Sequence, residues 1–459
     1  MSAPHVAVVG GGLAGLSAAV ACADGGARVT LFEARPRLGG ATWSFTRKGL
    51  DFDNGQHVYL RCCSAYRRFL ERLGTAELAP LRSPLALPVV APGPNGPRTA
   101  WIRRSPLPSP AHLAPSLLTY AHLSWRDRLA LGRALRALAA CQVGDPALDE
   151  ETFGAFLRRH GQSPAAIAAV FDLITLPTLN VRAEEASLAL AVKVFRTGLL
   201  DEPDAADIGW SNVPLTRLHV DPAVALLERA GAAVHRSARV EALDLAGATP
   251  VLRVGGERVA ADAVVLAVPH TAVAGLLPRG GLVDPEALSG LGTSPIIDVH
   301  VVYDRRVLEH ELVAALGSPA QFIFDRSAAA GLDPAAGQCL AVSVSGADAE
   351  HGERADALVD RYVAALAELL PAARGARVVD AVVSREHTAT FRGVPGTQRL
   401  RPGPLTGFPR VYLAGAWTDT GWPATMEGAV RSGVVAASCV LSATSRQLTS
   451  DTVPEEVPA

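Results

Sequence analysis

HVAVVGGGLAGLSAAVACADGGARVTLFE, residues 5–33, is the stretch whose reading decides the fold. An apolar run over 6–9 predicts a buried strand, and Gly10, Gly12 and Gly15 follow it in GxGxxG spacing. The Ala-rich segment after them predicts a helix, and a second apolar run over 28–32 ends at Glu33. Each residue type has a task in gripping a dinucleotide. The first glycine permits a tight strand-to-helix turn, the second lets backbone approach a pyrophosphate, and the third lets helix and strand pack closely. The helix N-terminus then presents free N–H groups and the positive end of its dipole to the anion. Glu33 lies eighteen residues beyond Gly15, close to the roughly 20 expected of a carboxylate that accepts from ribose hydroxyls. The bland alternative is a Gly-rich turn in an ordinary α/β unit; the flanking strand, the helix and the terminal acid together favour the dinucleotide.

Positions 6–23 carry no charge over eighteen residues, near the lower limit of a bilayer span of roughly 20. Gly10, Gly11, Gly12 and Gly15 argue against a spanning helix, and no basic segment precedes the run as a secretory leader requires. The stretch is expected to be soluble core.

At 459 residues the chain can form two or three domains around a large core. Lys plus Arg is 43 and Asp plus Glu is 45, for a net charge of −2, which gives no reason to expect a nucleic-acid partner. Lys48 and Lys193 are the only lysines, a limit on any mechanism that needs one. Six cysteines show no metal-ligand spacing, so the expectation is a reduced, cytoplasmic protein without structural metal. A hydrophobic content of 49% fits a protein that handles a greasy ligand and fits a large Ala/Val/Leu core equally well.

Downstream of Glu33 the loop ARPRLGGATWSF places Arg37 and a second glycine pair, Gly39 and Gly40. Those glycines would let the loop lie against the pyrophosphate from the other side, which a simple NAD site does not need; this favours FAD. GLDFDNGQHVYL from Gly49 predicts a strand broken at Asn54 and Gly55, and 62–73 a helix. Dense prolines over 80–115 predict a long connection with short strands. Helices are expected at 117–140, 153–159, 164–175 and 183–198. The first of these carries Arg126, Arg128, Arg133 and Arg136 among apolar residues, a pattern open to a membrane-surface contact or an ordinary solvated face. ADAVVLAVP, residues 261–269, reads as a parallel strand buried on both faces. Strands are expected at 296–303, 321–324 and 339–344, with a helix at 354–370. The closing segment RVYLAGAWTDTGWPATMEGAVRSG predicts strand, Gly-rich turn and helix.

The fold expected is α/β: a discontinuous Rossmann-like FAD-binding domain made of 1–79, 205–280 and 399–443. A mixed substrate domain, helical over 80–204 and β-rich over 281–398, would face it, with a disordered tail at 444–459. Ligands concentrate between such domains.

With Gly10 to Glu33, Arg37 with Gly39 and Gly40, and LAGAWTDTGWPATMEGAVRSG in view, the chain resembles the FAD-dependent amine oxidase and phytoene desaturase superfamily. DNGQH at Asp53 to His57, paired with the closing motif, is similar to its squalene-associated desaturase branch, the hydroxysqualene dehydroxylases. The resemblance implies reductive removal of an allylic hydroxyl from a long isoprenoid by hydride from reduced flavin. An acid that protonates the hydroxyl would leave a delocalised cation, and hydride could reach it from a flavin held about 3 to 3.5 Å away. The electron donor that re-reduces the flavin is left open. Three rival readings remain: a carotenoid-type desaturase with hydride moving to FAD, an amine or porphyrinogen oxidase, and a homologue without turnover.

The resemblance assigns Gly10, Gly12, Gly15 and Glu33 to the ADP part of FAD, and Arg37, Gly39 and Gly40 to pyrophosphate and ribityl. Val240 matches a position whose backbone meets the adenine, or is a plain core valine. Gly415 and the helix from Thr425 and Met426 would face the flavin. The pattern usually has an acid after that glycine where this chain has Ala416, a contact that Asp419 or a water would have to replace. His57 and Asp53, with Asp419 behind them, are the candidate proton donors; alternatively Asp53 and His57 only hydrogen-bond the loop that packs on the flavin. Trp417 and Trp422 could wall the flavin face.

Overall fold

The computed structural model describes residues 3–450, with side chains described through 443. The segments expected from the glycine motif come together in a five-stranded parallel sheet whose strands, in spatial order, are Ala233–His235, Arg28–Phe32, His5–Val9, Ala263–Leu266 and Val411–Leu413. His5–Val9 and Ala263–Leu266 are buried along their whole length, as strands covered on both faces must be. The order reverses between them, and Gly10 emerges at that point beside Ala267, where α/β sheets bind ligands. Gly10 adopts φ +108°, and a Cβ there would meet the Ala267 carbonyl oxygen at 2.4 Å.

Helices from the two ends of the chain lie against this sheet. Leu13–Asp24 packs on Met426–Ser450 so closely that a Cβ on Gly433 would meet Ser17 Oγ at 2.1 Å and the Ala14 carbonyl at 2.2 Å. Ser17 Oγ donates across the contact to the Val430 carbonyl. The buried Glu427 accepts from the Ala65 and Tyr66 amides at 3.1 and 2.7 Å, and so caps the helix Ser64–Leu73.

A second, seven-stranded sheet has the order Val378–Thr390, Ser294–Tyr303, Gln338–Ser345, Phe322–Asp325, Leu312–Ala315, Ala86–Ala91 and Arg98–Arg103. Ile297, Val299 and Val301 pack on the helix Ala355–Leu369, and alternation turns Asp298 and His300 to the opposite face. Helical segments over 114–200 complete this half of the molecule.

Several expectations change. The proline-rich connection over 80–115 supplies two strands of the seven-stranded sheet, with Val89 and Ala100 buried. Pro88 is tolerated because the ladder to Leu312–Ala315 engages Val89 and Val90, not Pro88. The helix expected at 117–140 is two, Ala114–Leu118 and Trp125–Ala140, the second capped by Ser124, whose Oγ accepts from the Asp127 amide. Strands at Leu312–Ala315 and Val378–Thr390 are additional to those expected. The last helix runs through Ser450, past the boundary expected at 443, and the rest of the expected tail, 451–459, lies outside the described residues.

Candidate active site

The two glycine loops expected to hold the cofactor, here called the cradle, are in contact. Gly39 donates its N–H to the Gly11 carbonyl at 2.8 Å, Gly12 and Gly39 form an isolated parallel bridge, and a Cβ on Gly40 would lie 2.9 Å from Gly12 Cα. The helix Leu13–Asp24 begins without a side-chain cap, which leaves its first N–H groups to an anion. Gly15 sits under Gly10, where a Cβ would collide with the Gly10 carbonyl oxygen at 1.8 Å. The Glu33 carboxylate accepts from the Gly11 and Arg35 amides, both at 2.8 Å. The Glu33 carbonyl accepts from the Ala238 amide, and the buried Val240 follows in the strand Val240–Asp244. Arg37 lays its guanidinium 3.4 Å from the centre of the Trp43 ring and reaches the Gly40 carbonyl. A paired loop that only glycine fits, an uncapped helix end and an acid at the end of the second strand suit FAD.

At the C-terminal motif, Gly415 donates to Ser432 Oγ at 2.8 Å, and Thr425 Oγ1 accepts from the Gly428 amide at the start of the helix beginning at Met426. Arg401, buried, binds the carbonyls of Trp417, Thr418 and Trp422 and holds this loop in shape. Burial lowers its pKa to about 10. Trp417 is buried and donates Nε1–H to the Val268 carbonyl, while Trp422 carries Lys193 Nζ 4.7 Å above its ring. Lys48 is exposed and pairs with Asp380.

Between the cradle and the seven-stranded sheet lies DNGQH. Asn54 ties it to the cradle loop: Asn54 Nδ2 donates to the Ala41 carbonyl, and Asn54 Oδ1 and N bond Trp43. The sheet holds its other side. Asp298 Oδ1 accepts from the Gln56 amide at 3.1 Å, His300 Nε2 donates to the Asp53 carbonyl at 3.0 Å, and Ser384 Oγ donates to the Asn54 carbonyl at 2.9 Å.

Asp53 and His57 are placed together but differ in what they have left to offer. The Asp53 carboxylate accepts from Ser44 Oγ, the Leu215 amide and Arg326, the last a buried ion pair at 2.8 Å. Fully engaged as an acceptor, it is built to hold the loop. The His57 ring bonds the Ala41 carbonyl, and its Nε2 is shielded from solvent with no partner. Nδ1–H is then the donor to Ala41, and Nε2 carries the free lone pair. Burial holds His57 below its ordinary pKa. Asp419 is exposed and accepts from Gln398 and the Gly421 amide; none of its partners belongs to this cluster.

Sequence reasoning missed Asp298. It is fully buried on the sheet, burial pushes its pKa up to about 7 with a smaller push from the Asp53 charge, and Oδ2 has no hydrogen-bond partner. Its signal was present: in IIDVHVVY an acid and a histidine two residues apart share one face of a strand otherwise apolar. Burial lowers His300 to about 4, so the imidazole is neutral.

A family profile described as flavin containing amine oxidoreductase matches residues 13–441. The chain belongs to this family. It is an FAD-dependent oxidoreductase. Among curated relatives, hydroxysqualene dehydroxylase of Rhodopseudomonas palustris is 30% identical over 95% of the chain and 98% of its own length. A 15-cis-phytoene desaturase of Glycine max is 25% identical over 95% of the chain and 79% of its own. Among solved structures, a putrescine oxidase double mutant superposes with a TM-score of 0.72 over 96% of the chain and 99% of its own, at 19% identity, a likeness of fold alone. The α/β architecture and the FAD expected from the second glycine pair are thereby borne out.

Proposed function

We propose that the protein is a hydroxysqualene dehydroxylase: it removes the allylic hydroxyl of a long isoprenoid alcohol to give the hydrocarbon and water. The observation that carries the reading is the agreement in length and sequence with the Rhodopseudomonas palustris dehydroxylase. Bound and reduced, FAD supplies the hydride. The glycine loops, with Glu33, hold its ADP end, and the loop from Gly415 with the helix from Met426 faces the flavin. DNGQH, fixed between the loop of Ala41 and Trp43 and the seven-stranded sheet, forms a buried wall of the site. The substrate needs few polar contacts, because burying its chain is favourable by roughly 25 cal/mol per Å² of apolar area.

The test is anaerobic mixing of reduced enzyme with hydroxysqualene. Flavin reoxidation with formation of squalene is expected, and no turnover refutes the reading. The likeness to phytoene desaturase favours one alternative, removal of hydride from a carotenoid-like chain; reduction of oxidised enzyme by phytoene would select it.

A substrate of this kind resides in a bilayer, and one surface suits contact with it. Trp125 and Leu129, one turn apart, are 66% and 63% exposed, and Leu118, whose carbonyl accepts from Arg128, is 54% exposed. Arg126, Arg133 and Arg136 are exposed on the same helix, a pairing of apolar and basic residues that fits an anionic lipid surface. Among the described residues no helix is long and apolar enough to cross a membrane.

A further inference from the structure

Beside the DNGQH motif lies a buried acid that the motif itself does not include. We infer that Asp298 is the acid that protonates the departing hydroxyl, with His57 Nε2 beside it to receive the hydroxyl's hydrogen bond. This rests on the dehydroxylase reading above and adds the group that makes the hydroxyl a leaving group.

Three observations place the pair. Asp298 Oδ2 and His57 Nε2 are both buried without partners, although buried polar atoms are almost always paired. Both come within 3.4 Å of the position a Cβ on Gly55 would take, so the missing side chain leaves them facing one small space. The loop that carries the pair is tied to the glycine loops: Gly40 approaches Gly12, and Ala41, next to Gly40, accepts from Asn54 and from the His57 ring, while Gln56 holds Asp298. The two atoms are also complementary. A protonated carboxyl offers a donor and a neutral imidazole an acceptor, which together match a hydroxyl that accepts one hydrogen bond and donates another.

Burial raises Asp298 to about 7, so it holds its proton below that pH. Asp53 faces it with its negative charge, itself paired with Arg326; His57 and His300 are held neutral by burial; Ser343 and Ser384 are its register partners on the adjoining strands. The Ser343 hydroxyl and the Gln56 amide favour the carboxylate, and burial outweighs them. Asp53 is already committed as an acceptor to Ser44, Leu215 and Arg326.

The step balances as follows. The Asp298 O–H bond breaks and an O–H bond forms on the hydroxyl oxygen. The carbon–oxygen bond then breaks with its electron pair leaving on water. The allylic carbon takes the hydride supplied by the reduced cofactor, and Asp298 is left as carboxylate. His57 gives and takes no net proton; it orients the hydroxyl.

The test compares wild type with D298N, each loaded with FAD and reduced anaerobically. D298N is expected to keep its flavin absorbance and its reoxidation by oxygen, and to lose about 10²- to 10⁴-fold in reoxidation by hydroxysqualene. Wild-type dehydroxylation should decline above about pH 7. Infrared titration gives a readout independent of activity: a protonated-carboxyl band present at low pH in wild type, lost as pH rises through about 7, and missing from D298N. Dehydroxylation by D298N at the wild-type rate, or no such band, overturns the assignment. If wild type does not turn over hydroxysqualene, the functional reading fails and the band alone decides the protonation of Asp298. Should D298N not fold, G55A places a methyl group between Oδ2 and Nε2 without removing either; a loss of at least about 10-fold with FAD retained supports the inference, and unchanged turnover overturns it.

Discussion

Replacing Asp298 by asparagine should make the protein more stable at high pH and leave it nearly unchanged at low pH. The ordinary carboxyl value is 3.8 and the folded value is about 7, raised by burial. Between these pH values the native state keeps a proton that the unfolded chain has released. Stability therefore falls as pH rises from about 4 through about 7, and is constant beyond. Each pH unit is worth about 1.36 kcal/mol, so the gap of about three units corresponds to about 4 kcal/mol, an upper bound. In D298N the side-chain amide oxygen can still accept from the Gln56 amide, so the variant loses the titration while keeping the bond. Urea unfolding of the FAD-saturated protein, followed by tryptophan emission at about pH 5 and about pH 8.5, on either side of the native value, measures the difference; all other titrating groups cancel between the two proteins. A variant-minus-wild-type difference that is equal at both pH values, or that favours wild type at the higher one, refutes the argument.

Gly40→Ala puts a Cβ 2.9 Å from Gly12 Cα at φ +59°, and should weaken FAD binding at least about 10-fold, about 1.4 kcal/mol, in a flavin-fluorescence titration; an unchanged Kd would mean the two loops need not touch. D53N leaves Arg326 buried without its counter-ion, and a stability loss of about 3–5 kcal/mol is expected in denaturant unfolding, with a loss under about 1 kcal/mol counting against the ion pair as the loop's anchor. Trp125→Ser combined with Leu129→Ser should reduce sedimentation with anionic vesicles several-fold while leaving the flavin spectrum intact; equal sedimentation would remove that face as the lipid contact.

Much of the nucleotide-binding half was legible because its residues announce themselves locally. Gly10, Gly12, Gly15 and Glu33 are read from spacing, and the strand Ala263–Leu266 from an apolar run that ends in proline. The second half hides its logic. Pro88 and its neighbours read as a connection because the tolerance of a proline depends on which partner residues the ladder engages, which lies elsewhere in the chain. The strand Val378–Thr390 is half-exposed and carries Arg385, Glu386 and His387, so it lacks the apolar signature of a strand. The site shows the same limit. Asp53 and His57 stand out in DNGQH, yet the structure separates them by role only through their partners: Arg326 closes off Asp53, and nothing closes off His57 Nε2. Asp298 leaves only a faint trace in the sequence, a polar pair with His300 on one face of an apolar strand, and its burial and unpartnered Oδ2 show only in the fold.

The contact of Gly433 with Ala14 and Ser17 also bears on how the holoenzyme is made. The glycine loop proposed to hold the ADP end and the helix from Met426 that packs on Leu13–Asp24 lie about 400 residues apart in the chain. A chain cut short before Met426 would lack the helix that packs on Leu13–Asp24, and with it the proposed second wall of the flavin site. Flavin retention by such a truncated chain would report on whether that helix is needed to hold the cofactor, independent of any turnover.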